Sequence, residues 1–250
     1  MSAAPPETSE DSLLGGRVRL LQPLLGYRAA IDPVLLAAAV DPAGGREVLE
    51  LGCGSGAASL CLLRRCPELR VTGLEIDPQS AALARRSAAL NGLEDRFRAV
   101  EGDLLAPPPE LVGLAFDQAI CNPPYNRAAS ATVSQKPGLA RAHSESAAVL
   151  DDWIAAARRA LKPKGRLTLI HRADRLGEIL SLLRGWAGEI VVFPLWPGAG
   201  RPAKRVLLRA RAGVATPMKL AAGLALHDAD GGFSPQAETV LRQGAALPLE

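Results

Sequence analysis

The chain has 250 residues, 48% of them hydrophobic, and its 29 Lys and Arg against 26 Asp and Glu leave a formal net charge of +3. This length is enough for one domain with a full core, and so small a charge does not by itself indicate a polyanionic partner. No run of about 18 uninterrupted apolar residues suggests a membrane span. The four cysteines form no CxxC pair, so we expect a reduced, cytoplasmic protein without structural zinc.

The N-terminal segment is rich in Pro, Ser and Glu and has no apolar signal core, which predicts a disordered tail over residues 1–12. Residues 13–250 are expected to form a single domain with a short N-terminal cap, 13–44, and a C-terminal appendage, 212–250. Within the cap, residues 31–40 predict a helix with Asp32 and Pro33 in its first turn.

Strand-like and helix-like patterns alternate along the rest of the chain. The predicted strands are 48–51, 70–74, 97–100, 115–121, 166–170, 189–193 and 204–210, and the predicted helices between them are 57–66, 79–91, 147–161 and 175–183. This alternation predicts an α/β fold with a doubly wound, mostly parallel sheet and right-handed crossovers. No helix separates the last two strands, so we expect that pair to be antiparallel.

A glycine-rich turn, Glu50-Leu51-Gly52-Cys53-Gly54-Ser55-Gly56, follows the first of these strands. Backbone N–H groups between a strand and a helix can hold a cofactor, and glycines let the chain approach it closely. The spacing is GxGxG and not the GxGxxG of dinucleotide sites, which disfavours a nicotinamide dehydrogenase. The acid at Glu50 favours an ammonium, such as the amino group of a methionine moiety, over a pyrophosphate.

Two further carboxylates stand at the ends of the next two strands. Glu75 lies 23 residues after Gly52, where it can accept hydrogen bonds from both hydroxyls of a ribose. Asp103 follows the third strand, where it can accept one from an adenine amino group. Three acids at three successive strand ends are hard to obtain by chance, which favours a cofactor site over a simple glycine-rich turn.

The segment Asn122-Pro123-Pro124-Tyr125 comes directly after the apolar run 116–121. The prolines restrict the backbone around Asn122. The Asn122 amide oxygen and the Pro123 carbonyl are two acceptors suited to holding an –NH2 group, and the Tyr125 ring can stack on a planar group that carries the amine. The alternative is a plain strand-to-loop turn, since Asn-Pro is a turn dipeptide; the cofactor site upstream favours the amine-binding interpretation.

The segment 201–211 contains five basic residues and no acidic one, a distribution suited to neutralising phosphates or to a solvated face. Trp196, between two prolines, is either an exposed stacking residue or part of the core. His143, in a long loop, either contacts RNA phosphate or is an ordinary loop histidine, and His171 is expected to be structural.

Taken together, ExGxGxG, Glu75, Asp103 and NPPY resemble the class I S-adenosylmethionine-dependent methyltransferases, specifically the branch that methylates amino groups. The resemblance implies a Rossmann-like, seven-stranded sheet with one antiparallel strand near the C-terminal end. It also implies that Asn122 and Pro123 hold the target amine in line with the methyl sulfonium, with Tyr125 stacked on the target base, so these three are the expected catalytic residues. The S-adenosyl-L-methionine ligands that follow from it are Asp32, Glu50, Gly52, Gly54, Gly56, Glu75, Asp103 and Asn122.

Within this branch, the segment from Leu21 to Leu36 is similar to the one before the sheet in bacterial tRNA (adenine-N6)-methyltransferases. That similarity implies methyl transfer to an adenine N6 in the anticodon region of a tRNA, with neither membrane nor metal involved. Asp32 matches an acid of that segment, although Pro33 replaces the usual glycine after it. The expected RNA contacts are Trp196, Arg201, Lys204 and Arg205. The sequence does not set the oligomeric state.

Several alternatives use the same cofactor or the same amine-binding motif. Methylation of a glutamine N5 in a release factor is disfavoured because those enzymes carry a helical N-terminal domain, whereas about thirty residues precede Asp32 here. Methylation of rRNA guanine N2 remains an alternative, and a DNA adenine enzyme would need a recognition insertion that no segment resembles. From a different class, a non-catalytic module that binds cofactor and RNA is also compatible with the glycine-rich turn.

Overall fold

The structure is a computed structural model that describes residues 8–25, 28–125 and 148–249. Its strands are β1 (Thr8–Leu13), β2 (Val18–Pro23), β3 (Glu47–Leu51), β4 (Arg70–Glu75), β5 (Phe97–Glu101), β6 (Phe116–Cys121), β7 (Leu161–Arg172), β8 (Ala187–Gly198), β9 (Arg205–Ala212), β10 (Lys219–Leu220) and β11 (Leu224–His227). Its helices are α1 (Asp32–Ala39), α2 (Ala57–Arg65), α3 (Pro78–Leu90), α4 (Leu150–Ala160), α5 (Leu176–Leu183) and α6 (Pro235–Gln243).

The main sheet has the strand order β10-β8-β9-β7-β6-β3-β4-β5. Strands β3 to β7 are parallel, and β9 is antiparallel to both of its neighbours, β7 and β8. This confirms the predicted doubly wound fold and its antiparallel pair. The chain adds two more strands to this sheet after the strand predicted over 204–210: β10 and β11 both pair with β8 in parallel.

The core lies on both faces of the sheet because strand side chains alternate between the faces. On β3, Val48 belongs to a cluster that includes α1, α2, α3 and α6, whereas Leu49 belongs to a second cluster that includes α4 and α5. The apolar sides of the helices therefore cover two sheet faces that are both buried, as a parallel sheet requires.

The N-terminal residues differ from the prediction. Residues 8–12 form most of β1, which pairs with β2 in an antiparallel hairpin, so the predicted tail is wrong for this part; residues 1–7 lie outside the described range. The polar side chains that suggested a tail are satisfied across the hairpin, where Arg19 pairs with Glu10 at 2.7 Å. Buried Val18 and Leu20 on β2 anchor the hairpin to the core.

The carboxyl ends of the parallel strands define one edge of the sheet, which in doubly wound folds is where ligands bind. The turn from β8 to β9 lies at the same edge because β9 runs in the opposite direction and begins there. Most of the predicted cofactor and amine-binding residues lie at or just after strand ends, so the fold gathers them at this edge; Asp32 is the exception and lies in the first turn of α1.

Two structural findings bear on partners. No helix in the described ranges is long and apolar enough to cross a membrane. Within those ranges, no three His, Cys, Asp or Glu side chains are grouped so that they could hold a metal ion.

Candidate active site

The glycine-rich turn joins β3 to α2 in a left-handed conformation. Gly52 and Gly54 have φ values of 64° and 53°, a region in which side chains other than that of glycine are strained. A Cβ on Gly52 would lie 2.4 Å from the Trp153 ring, whereas a Cβ on Gly54 would meet no atom within 4 Å. Gly56, with a φ of 90°, is the N-cap of α2. The loop is therefore packed on Trp153 from one side and open to a ligand at Gly54.

Glu50 lies below this loop and is buried. Its Oε2 accepts hydrogen bonds from the Ser59 backbone N–H at 3.0 Å and from the Ser59 hydroxyl. Burial raises the pKa of Glu50 to about 8, although the bonds from Ser59 oppose the shift. No hydrogen bond to its Oε1 is formed within the described residues, which leaves one oxygen for the ammonium group that the sequence predicts. Ser59 is a neighbour that the sequence analysis missed; it lies on the first turn of the helix after the loop.

The next two carboxylates are held by backbone N–H groups. Glu75 accepts from Gly54 at 2.7 Å and from Asp77 at 2.9 Å, and burial raises its pKa. These bonds tie the β4 end to the glycine loop and leave lone pairs on both oxygens for a ribose. Asp103 accepts from the Leu105 N–H at 2.9 Å through Oδ1. The cofactor roles predicted for Glu50, Glu75 and Asp103 remain predictions that these geometries accommodate.

Asn122 and the glycine-rich turn begin side by side at the edge of the sheet. Leu51, the last residue of β3, pairs with Cys121, the last residue of β6, and Asn122 directly follows Cys121. Its Oδ1 is buried and has no hydrogen-bond partner in the described part of the chain. An unpaired buried acceptor is costly and normally marks a missing partner. Pro123 beside it is buried as well. The amide oxygen thus fits the predicted role of accepting from an amine.

Tyr125 is held by two direct contacts, and Arg205 shares one of its partners. Its hydroxyl donates to Asp32 Oδ2 at 2.6 Å, and its ring meets the His171 ring edge-on, with the centroids 5.2 Å apart. Arg205 Nε lies 2.8 Å from the same Asp32 oxygen, as an ion pair without hydrogen-bond alignment of the Nε–H. Burial, together with the Asp32 charge, raises the pKa of Tyr125, so the hydroxyl stays protonated.

These contacts change the interpretation of two predicted residues. Asp32, expected to bind the cofactor, holds Tyr125 and Arg205 through Oδ2, while its buried Oδ1 has no partner in the described ranges. Arg205, expected to contact RNA, is committed to Asp32 on the inside of the site. The sequence could not show this triad because its members lie on α1, after β6 and on β9.

His171 also differs from a satisfied structural histidine. It is 1% exposed, its Nδ1 has no hydrogen-bond partner in the described residues, and burial lowers its pKa to about 4. The neutral ring packs against Tyr125 and so contributes to the site. His143 lies outside the described residues.

Two clefts open at this edge. The first, which we name the Tyr125 cleft, has a volume of about 430 Å³ and is lined by Tyr125, Arg172, Asp174, Ala203, Lys204 and Arg205. The second, the Trp196 cleft, has a volume of about 480 Å³ and is lined by Trp196, Ala199, Gly200, Arg201, Pro202 and Ala225. The four residues expected to contact RNA are divided between the clefts: Lys204 and Arg205 line the first, and Trp196 and Arg201 line the second. Arg172 and Asp174 were not among the predicted site residues; their position at and just after the end of β7, near His171, was the available signal.

A family model described as methyltransferase small domain matches residues 30–183, more than half of the chain. The relatives include the tRNA1(Val) (adenine(37)-N6)-methyltransferase of Aeromonas hydrophila, 30% identical over 83% of this chain and 85% of that protein. The Porphyromonas gingivalis protein of the same name is 38% identical over 61% of each chain. A release factor glutamine methyltransferase of Deinococcus radiodurans is 37% identical over 58% of this chain and 52% of that protein.

Among solved structures, a predicted O-methyltransferase from Agrobacterium tumefaciens superposes with a TM-score of 0.71. It is 27% identical to this chain, and the match covers 86% of this chain and 98% of that one. This match covers more of the chain than the family model does, so the shared fold extends beyond residues 30–183.

Proposed function

Because the chain belongs to the methyltransferase small domain family, we propose that it transfers a methyl group from S-adenosyl-L-methionine to N6 of an adenine in the anticodon region of a tRNA. The observation that supports this proposal most directly is the buried, unpaired Oδ1 of Asn122. It lies beside the glycine loop, where an amine bound to it is next to a cofactor held on that loop.

The residues present fit the cofactor. Glu50 has a free oxygen for the amino group, Glu75 has lone pairs for the ribose, and Gly54 has open space above it. S-adenosyl-L-methionine supplies, when bound, an activated methyl group on a sulfonium. The roles of Asp32 and Asn122 as cofactor ligands are secondary in this proposal. Asp32 holds Tyr125 and Arg205, and Asn122 accepts from the target amine.

The chain itself positions the acceptor. The Asn122 side-chain oxygen and the Pro123 carbonyl accept hydrogen bonds from the two hydrogens of the adenine amine and favour its change toward sp³ geometry. The N6–methyl bond forms as the methyl–sulfur bond breaks, and one amine proton then leaves to solvent. No strong base is needed, so positioning supplies most of the rate acceleration.

The acceptor is inferred from two observations. A relative whose match covers 83% of this chain and 85% of its own is named for adenine N6 of a tRNA, and the Tyr125 cleft is bordered by the cations Arg172 and Lys204. A base must leave its stack to reach such a site, which costs little in a single-stranded anticodon loop. The release factor glutamine methyltransferases among the relatives keep a protein glutamine as the alternative acceptor.

Tritiated methyl transfer tests this proposal when bulk tRNA, release factor and DNA are offered separately with the same cofactor. We expect label in tRNA only. Asn122→Ala should lower the transfer rate about 100-fold or more, the effect expected when a group that stabilises the transition state is removed, while cofactor affinity stays within a few-fold.

Asn122→Asp is the matched variant, since it retains an acceptor oxygen at the same position. It should keep more activity than Asn122→Ala. Equal loss of transfer and of cofactor binding in both variants would mean that Asn122 is structural, and labelling of the release factor alone would replace the tRNA by the glutamine acceptor.

A further inference from the structure

One turn of chain contributes to both clefts at the active-site edge. Between β8 and the first residue of β9, residues 199–202 line the Trp196 cleft and residues 203–205 line the Tyr125 cleft. Lys204 N–H donates to the Leu195 carbonyl at 3.3 Å, and Arg201 N–H donates to the Gly198 carbonyl at 3.2 Å, so the turn is tied to β8. The two clefts therefore adjoin each other along this turn, and the hydrogen bonds to β8 fix their relative position.

The indole of Trp196 is held in place by the appendage. Its Nε1–H donates to the Ala222 carbonyl at 3.1 Å. Gly223 follows in a left-handed conformation, with a φ of 83°, and a Cβ there would lie 2.7 Å from the same Nε1. The ring is thus anchored at its polar edge, and the half-buried side chain lines the cleft with its remaining surface.

Charge around the turn favours an anionic ligand. Arg201 and Lys204 are exposed, and no hydrogen bond or ion pair of the Arg201 side chain is formed within the described part of the chain. The lining of the Trp196 cleft contains no acid. In the Tyr125 cleft, Asp174 is paired with Arg172. An aromatic face beside an unpaired cation is the combination by which proteins bind a single-stranded nucleotide.

We infer that the Trp196 cleft binds the nucleotide next to the methylated one, with its base on the Trp196 indole and its phosphate at Arg201. The inference rests on the proposed function, because it places the target base in the neighbouring Tyr125 cleft. The volume of about 480 Å³ lies in the range of small-molecule sites, roughly 300–1,000 Å³. The site then recognises two adjacent unpaired nucleotides and disfavours a base whose neighbour remains stacked in a helix.

Trp186 provides a matched control for Trp196. It is also half-buried, and its Nε1–H also donates to a backbone carbonyl, that of Leu182 at 2.8 Å. It precedes the first residue of β8, whereas Trp196 lies near the last, so the two indoles stand at opposite ends of one strand. Trp196→Phe and Trp186→Phe are therefore equivalent changes at different distances from the clefts.

The experiment titrates an unmodified anticodon stem-loop RNA into the wild-type chain and both Phe variants and follows tryptophan fluorescence. We expect RNA to quench the tryptophan fluorescence of the wild type and of Trp186→Phe. In Trp196→Phe, the part of the quenching that comes from Trp196 should be absent. In methyl-transfer assays, Trp196→Ala should raise the KM for the stem-loop about five-fold or more. About five-fold is the lower end of the loss in affinity expected when one base loses its aromatic stacking partner. Its kcat and its cofactor affinity should stay within about two-fold of wild type, since the indole contacts neither reacting group.

The outcomes separate this inference from the proposed function. Wild-type KM in Trp196→Ala, or unchanged quenching in Trp196→Phe, would overturn the nucleotide site while methyl transfer to tRNA stands. Quenching that depends on Trp196 without any methyl transfer would keep the site and reject the proposed reaction. Methylation of release factor with no RNA-dependent quenching would reject both.

Discussion

At the scale of single residues, Glu50 is a buried carboxyl group for which we propose a role in binding the amino group of the cofactor. Its side chain is 4% exposed at the base of the glycine loop, and burial raises its pKa from 4.5 to about 8. In the absence of ligand the folded chain therefore holds a proton at Glu50 between about pH 4.5 and pH 8, whereas the unfolded chain releases it. A cationic ligand would favour the ionised form, so binding of the proposed cofactor at Glu50 would be linked to loss of this proton.

The linkage predicts a pH-dependent stability. Between about pH 4.5 and pH 8 the folded state binds more protons at Glu50 than the unfolded state does, so the free energy of unfolding falls as the pH rises. The limiting slope from this group is about 1.4 kcal/mol per pH unit. Glu50→Gln should remove the contribution of Glu50 to the slope and leave that of Glu75, whose pKa burial also raises; urea unfolding of both chains from pH 5 to pH 8 measures the difference between them.

Ser59→Ala is the complementary variant, because the Ser59 hydroxyl lowers the pKa of Glu50. Without it, the pKa of Glu50 should rise further, and the decline in stability should extend to higher pH. If Glu50→Gln and wild type lose stability in parallel over this range, another buried group is responsible.

At the scale of elements, the first turn of α1 links the Asn-Pro-Pro-Tyr segment after β6 to the start of β9. Asp32 makes this link with one carboxylate, which accepts from Tyr125 and pairs with Arg205. Tyr125 is also packed on His171 from β7. The orientation of the aromatic ring that is proposed to stack on the substrate thus depends on three elements outside its own segment.

Asp32→Ala tests this link. Its removal leaves the Tyr125 hydroxyl and the Arg205 guanidinium without their shared acceptor, and we expect the free energy of unfolding to fall by about 2 kcal/mol, less than for a fully buried pair because Arg205 is partly exposed. We also expect kcat to fall about tenfold while the Kd of S-adenosyl-L-methionine changes little. Equilibrium unfolding, turnover and calorimetry give the three values.

The control is Glu238→Ala, which removes an exposed carboxylate paired with Arg242 at 2.7 Å on α6. Its effect on the free energy of unfolding should stay below about 1 kcal/mol. A rise of more than tenfold in the cofactor Kd of Asp32→Ala, with kcat retained, would instead support Asp32 as a direct cofactor ligand.

The link at Asp32 also shows where sequence-based prediction stops. The strand–glycine-loop–helix unit and the Asn-Pro-Pro-Tyr segment follow from local patterns, because each is built from consecutive residues whose backbone restrictions are written in the sequence. Asp32 and Tyr125 are 93 residues apart in the chain, and only the tertiary fold brings them together. Residues 8–12 were mispredicted for the same reason, since their polar pattern is satisfied by pairing with β2.

At the scale of the whole molecule, the modest net charge of +3 means that attraction to RNA must depend on where the cations lie. Arg205, Arg166 and Arg175 are each paired with an acid of the chain, namely Asp32, Asp41 and Glu178. Lys204, by contrast, is exposed at the rim of the Tyr125 cleft. Association with RNA should therefore be moderately salt-dependent and governed by a few cations on one edge.

Lys204→Ala should weaken anticodon stem-loop binding and reduce the slope of log K against log salt by about 1, the value for one lost phosphate contact. The matched control is Lys219→Ala, an exposed lysine on β10 that pairs with Val191, five residues before Trp196 along β8. Its slope should equal that of wild type, because its charge lies away from the clefts. Binding isotherms at several salt concentrations give both slopes. Equal slopes for Lys204→Ala and wild type would mean that the RNA phosphates do not contact the β8–β9 turn. A reduced slope for Lys219→Ala alone would mean that they lie along β10 instead.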